Sequence, residues 1–182
     1  MNEFLMHREI VCKTLGVCLI FIAAAGGGLT YSRRLRLRLE QLRQLQQLML
    51  LLQGEIQYQC STLPEAFLTC GNQVKSVCGS WFMETGKRLN EMEGVSFQEI
   101  WERQLLNLQK DTMLSISNIE DLRRLGNQLS YPDKETQIGA LKLYSHRLKE
   151  QEDQLTKELP VKMKLGTTLG VLSGLFLIIL LM

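Results

Sequence analysis

Two stretches of this 182-residue chain carry no charge at all, residues 14–32 and 165–182. All 40 Lys, Arg, Asp and Glu residues therefore fall in the other 145 positions. That unevenness excludes a simple soluble globule, although the mean hydropathy of −0.04 is ordinary. Proline is scarce, at three residues, and the charged middle is rich in leucine, which excludes a disordered chain. Histidine is scarcer still: His7 and His146 lie far apart in sequence. No Cys-x-x-Cys pair occurs among Cys12, Cys18, Cys60, Cys70 and Cys78. Zinc ligation and a Cys–His nucleophile both need a cluster, so neither is expected. There is no phosphate-binding glycine loop, no Gly-x-Ser-x-Gly and no His-Glu-x-x-His. Glu150, Glu152 and Asp153 are read as a solvated helix face. The sequence thus points to no enzyme, metal or cofactor, and its cysteines read as buried or incidental reduced thiols.

The charge-free blocks are long enough to matter. At 1.5 Å per residue, 18 or 19 residues span roughly 28 Å as a helix, about one hydrocarbon core. A cleaved signal peptide competes for the first block, with Arg8 and Lys13 ahead and Ala23-Ala24-Ala25 as a cleavage site. Charge placement favours an anchor. Arg33, Arg34, Arg36, Arg38 and Arg43 follow the first block, and Lys157, Lys162 and Lys164 precede the second. Both flanks of the middle block are then positive, the cytoplasmic sign. The expected organisation is a short segment 1–13, a transmembrane helix 14–32, a cytoplasmic domain 33–164 and a transmembrane helix 165–182. Gly166, Gly170 and Gly174 share one face of the second helix, which suits packing against the first anchor or a partner's helix. Glycine is also simply common in membrane helices. The middle block holds 19 basic and 17 acidic residues, too balanced for nucleic acid, and its arginine run suits anionic lipid headgroups.

Within 33–164 nearly everything reads as helix. Leu35, Leu39, Leu42, Leu45, Leu48, Leu52 and Ile56 recur every three or four residues, with Leu37, Leu50 and Leu51 widening the stripe. Thr62-Leu-Pro64-Glu65 and Ser96-Phe-Gln-Glu99 each place a hydroxyl three residues before a glutamate, the pattern of a capping box. Between them, Asn72–Glu91 is predicted helical, carrying Val74, Val77, Trp81 and Leu89, with Gly94 in the following turn. A helix from about Asp111 to Leu129 is predicted from Met113, Ile116, Ile119, Leu122, Leu125 and Leu129. Tyr131-Pro132-Asp133 breaks it, and Asp133 caps a last helix that Pro160 kinks or ends. Short linkers favour antiparallel neighbours, so the expected fold class is all-α, a bundle of about six helices between two anchors.

Several phrases resemble a known family. They are Arg33-Arg34, Glu55-Ile56-x-Tyr58, Thr62-Leu63-Pro64-Glu65-Ala66, Trp101, Leu122-x-x-Leu125-Gly126-x-x-Leu129, Asp133 with Gln137, and Gly174 to Met182. Together they are similar to the stage III sporulation protein AB family of spore-forming bacteria. The chain departs from it at Ser130 and Ile100, both structural positions. More remotely, Thr62–Phe67 and Gly94–Trp101 are similar to helix starts of the type II secretion F domain. The resemblance implies a single antiparallel bundle in the mother-cell membrane around the forespore. It also implies a non-catalytic place in a channel-like complex, beside membrane ring proteins and a cytoplasmic ATPase. The charged tips around Glu91–Gly94 and Lys134–Glu135 are the contact points this suggests. An exported structural protein that loses its first segment is the alternative.

Overall fold

Leu42, Leu45, Leu48 and Leu52 are at most 1% exposed and Ile56 only 4%, so the three-and-four spacing does turn one face of the first helix inward. The computed structural model describes residues 30–59, 61–91 and 94–181. Helix α1 covers 30–54 and runs on into a π-helical turn, Glu55–Gln59. It is followed by α2 (Leu63–Gln73), α3 (Val77–Glu91), α4 (Phe97–Asp111), α5 (Ile116–Leu129) and α6 (Lys134–Leu181). No strand occurs among the described residues. The chain forms two compact units, Leu37–Leu155 and the pair Met1–Arg36 with Thr156–Met182.

In the Leu37–Leu155 unit, each helix is tied to its neighbour by a specific contact. Helices α2 and α3 approach so closely that a Cβ on Gly71 would lie 2.7 Å from the Met83 backbone nitrogen and one on Gly86 2.9 Å from the Pro64 carbonyl oxygen. The Trp81 indole donates to the Gln104 carbonyl at 2.9 Å, joining α3 to α4. The Trp101 indole donates to the Leu122 carbonyl at 3.0 Å, joining α4 to α5. Asn118 donates to Gln151, joining α5 to α6. Arg43 meets Glu152 at 2.8 Å, and Lys134 Nζ donates to the Gln57 carbonyl at 3.1 Å, closing α6 onto α1. At the centre, Phe67, Phe82, Trp81 and Trp101 form an aromatic cluster with ring centroids 4.8 to 5.8 Å apart. Burying each such side chain contributes about 1.5–3 kcal/mol, which is why α2, α3 and α4 converge there.

Several boundaries and faces differ from the sequence reading. Helix α2 reaches Gln73, and α3 starts only at Val77, after a break through Val74. Asn72 therefore ends one helix and does not begin the next. Helix α4 takes Asp111, and Ser115 caps a separate α5; Met113 and Ile116 are consequently 45% and 70% exposed. Their threefold spacing belongs to no single helix. Leu37, Leu50 and Val77, predicted to point inward, are 42%, 54% and 46% exposed. They lie off the face that the neighbouring helices cover. Pro160 does not end α6, which stays helical to Leu181; the missing proline N–H removes one bond of the ladder without breaking it.

In the other unit, Lys162 pairs with Glu158 at 2.6 Å and Arg36 donates to the Met163 sulfur at 3.6 Å. The block 14–32 lies outside the described residues, apart from its last three positions. Gly166, Gly170 and Gly174 are helical, and what their faces meet lies outside the described part. Among the described residues no helix is long and apolar enough to cross a membrane.

Candidate functional site

The residues marked by the sequence motifs assemble mainly at one end of the Leu37–Leu155 unit. Helices α2, α4 and α6 start there, and α1, α3 and α5 end there. Each start is capped. Glu65 Oε2 accepts from the Thr62 backbone N–H at 3.1 Å and its hydroxyl at 2.8 Å, with Pro64 in the first turn. The Ser96 hydroxyl accepts from Glu99 N at 3.2 Å. The Glu99 carboxylate, expected to reach back to the cap, pairs with Arg103 at 2.5 Å instead, so this box is half made. Asp133 accepts from the Thr136 hydroxyl and, at 2.8 Å, from Thr136 N. These hydrogen bonds hold the Glu65 and Asp133 carboxyls below their ordinary range.

The turns between these helices are pinned as well. The Gln137 amide donates to the Leu129 carbonyl at 2.9 Å and the Tyr131 carbonyl at 2.8 Å, fixing the α5–α6 corner. Gly94 has φ +81°, a left-handed conformation that glycine adopts without strain. Ser61 donates to Glu55 at 3.2 Å across the link from α1 to α2. Gly126 lies under Trp101: a Cβ there would be 2.2 Å from the indole ring. Trp101 and Gly126, 25 positions apart in sequence, are thus one lock between α4 and α5. Tyr58 is the exception among the marked residues, 77% exposed on the π-helical turn.

Polar residues hold the opposite end, among them Gln41, Ser115 and Asn118, which the sequence reading did not mark. Arg38 donates to the Ser115 hydroxyl at 3.0 Å and to Asn118 Oδ1 at 3.2 Å. Buried Gln41 accepts the Met113 N–H at 2.8 Å. Ser115 and Asn118 form a capping box of their own, with Asn118 Oδ1 accepting Ser115 N at 3.0 Å. The signal was the Ser-x-x-Asn spacing, a box with the shorter Asn in place of the usual Glu or Gln. Arg38 and Arg43, read as facing lipid headgroups, are here bonded within the bundle.

Among the described residues, reactive groups do not converge. Cys70 and Cys78 are fully buried, and burial pushes both thiols up to about 12, so neither supplies a thiolate at neutral pH. Cys12, Cys18 and Cys60 lie outside the described residues. His146 is exposed, 3.5 Å from Glu150. Glu152 is not on a solvated face: it is 8% exposed and bonded to Arg43 and to Lys149 at 3.1 Å. No group of three metal-ligating side chains occurs among the described residues. An open groove of about 420 Å³ runs between α3 and α4, lined by Val77, Trp81, Lys87, Asn107 and Asp111 among others.

These features define an all-α bundle protein whose marked residues cap, pin and pack helices. The chain belongs to the stage III sporulation protein AB family, whose model matches residues 13–182. It is 28% identical to stage III sporulation protein AB of Bacillus subtilis strain 168 over 170 residues, 93% of this chain and 99% of the relative. Its fold matches a solved structure of stage III sporulation protein AB with a TM-score of 0.62 and 24% identity. That match covers 68% of this chain and 96% of the solved one.

Proposed function

We propose that the chain is a non-catalytic membrane platform in the complex that joins mother cell and forespore during endospore formation. One observation carries this reading. The Leu37–Leu155 unit begins and ends at the same extremity, where Arg38 and Arg43 meet α5 and α6. Such a unit suits suspension from two apolar segments, 14–32 and 165–182, both flanked by basic residues. Its domain then faces the cytoplasm of the mother cell, where a motor ATPase and membrane ring proteins are its partners. The buried thiols of Cys70 and Cys78 and the exposed His146 fit a scaffold.

The test uses the full chain in detergent. Retention of the complex's purified ATPase on the immobilised chain is the expected outcome, and passage of the ATPase at the level of an empty matrix would remove the motor-coupling part of the proposal.

A further inference from the structure

The two exposed aromatic rings among the described residues of the Leu37–Leu155 unit both lie at its capped extremity. Tyr58, on the π-helical turn, is 77% exposed, and Tyr131, between α5 and α6, is 60% exposed. The bond from Lys134 to the Gln57 carbonyl ties their two turns together. Gln137 fixes the Tyr131 backbone, so that ring is presented on a rigid support. Neither ring joins the aromatic cluster of the core. A tyrosine held this way offers contact area at little entropic cost, the character of an interface anchor.

Charge gives the partner's chemistry. The described residues of 55–65, 91–99 and 130–136, the turns at this extremity with the helix ends beside them, include six acidic residues and one basic residue, Lys134. The turns at the other extremity, taken with their helix ends as 71–79 and 109–118, hold Lys75, Lys110 and one acid, Asp111. Glu65, Glu91 and Glu135 are exposed around the tyrosines' extremity. We propose that this extremity docks a lysine- and arginine-rich surface of a protein partner, with Tyr58 and Tyr131 as stacking anchors for its cations. Guanidinium groups stack on aromatic faces and pair with carboxylates, and the surplus negative charge steers a basic partner into place. The proposal rests on the platform reading and deepens it by stating what the partner must present.

The test uses the full-length chain in sporulating cells, with a photoreactive benzoylphenylalanine at position 58, 131 or 106. Leu106 is 53% exposed on α4 and serves as the reference. Cross-links from 58 and 131 are expected to exceed those from 106 about tenfold, to map to a lysine- and arginine-rich protein segment, and to fall about tenfold with Glu91→Lys plus Glu135→Lys. Yields no higher than at 106, mapping to an acidic or apolar segment or to lipid, or insensitivity to the charge reversal would each overturn the proposal. If the reversed chain loses its helical signal, Glu91→Gln plus Glu135→Gln replaces it, with a fall of about threefold expected and no fall overturning the proposal. Failure of the platform reading shows separately, as normal sporulation when the whole gene is deleted, because the cross-linking pattern is read in cells that retain it.

Discussion

A methyl group on Gly126 has no space: it would stand 2.2 Å from the Trp101 indole, whose N–H is committed to the Leu122 carbonyl. Gly126→Ala should therefore destabilise the chain by about 1–3 kcal/mol, the usual cost of overpacking. The contrasting change is Gly139→Ala on α6, where an added Cβ meets nothing within 4 Å. There the gain in helix propensity should stabilise by roughly 0.5–1 kcal/mol. Denaturation of the detergent-solubilised chain, followed by the emission of the buried Trp81 and Trp101, measures both, and the same sign for the two variants would contradict the packing described. Cys70 and Cys78 give a pH prediction. Their thiols are raised in the fold from an ordinary value of 9.0 to about 12, so folding favours the protonated form. The stability this contributes is complete below about pH 9 and is lost as pH rises towards 12. The alkaline limb of the stability profile should flatten in a Cys70→Ala, Cys78→Ala double variant, even if its baseline stability is lower. Burial of these two thiols was legible in the sequence as an absence of partners. Burial of Glu152 was not, because its partner Arg43 lies 109 positions away.

At the scale of the helix, caps decided what could be read. Thr62 with Glu65 and Asp133 before α6 announced their helices, and both caps form. The start of α5 was misplaced because Ser115 is followed by Asn118 where a capping box usually has Glu or Gln, so apolar spacing from Met113 and Ile116 governed the reading. Ser115 also receives Arg38, so Ser115→Ala removes a cap and a tie to α1 together. A loss of about 1–2 kcal/mol is expected, larger than that of Ser96→Ala, whose hydroxyl serves one backbone N–H. Equal losses in paired denaturation curves would mean that the Arg38 contact contributes nothing. The outward positions of Leu37 and Leu50 were not legible either. A period of three and four residues defines a stripe, but only the neighbouring helices set how wide a stripe they cover.

For the whole molecule, charge distribution said more than composition. The two charge-free blocks and their basic flanks predict a cytoplasmic domain between anchors, and this can be checked by labelling. The native thiols at 70 and 78 are poor reporters, since both are fully buried. Lys142→Cys places a thiol on an exposed position of α6. With a membrane-impermeant maleimide, labelling at 142 should be low in intact cells and rise several-fold after lysis. Ready labelling in intact cells would reverse the topology. The six-helix bundle itself was legible from periodicity and caps. The neighbours that close it were not, because sequence spacing cannot show that α1 lies against α6.

That closure has a consequence for synthesis. The pair Arg43–Glu152 joins positions 109 residues apart, so α1 cannot reach its final neighbour until nearly the whole chain has left the ribosome. Until then α1 lacks its α6 neighbour, while α2, α3 and α4 can already collapse around the aromatic cluster. A chain truncated before α6 should accordingly be held by chaperones or degraded rather than accumulate, even though the contacts of α2 with α3, α3 with α4 and α4 with α5 are present in it.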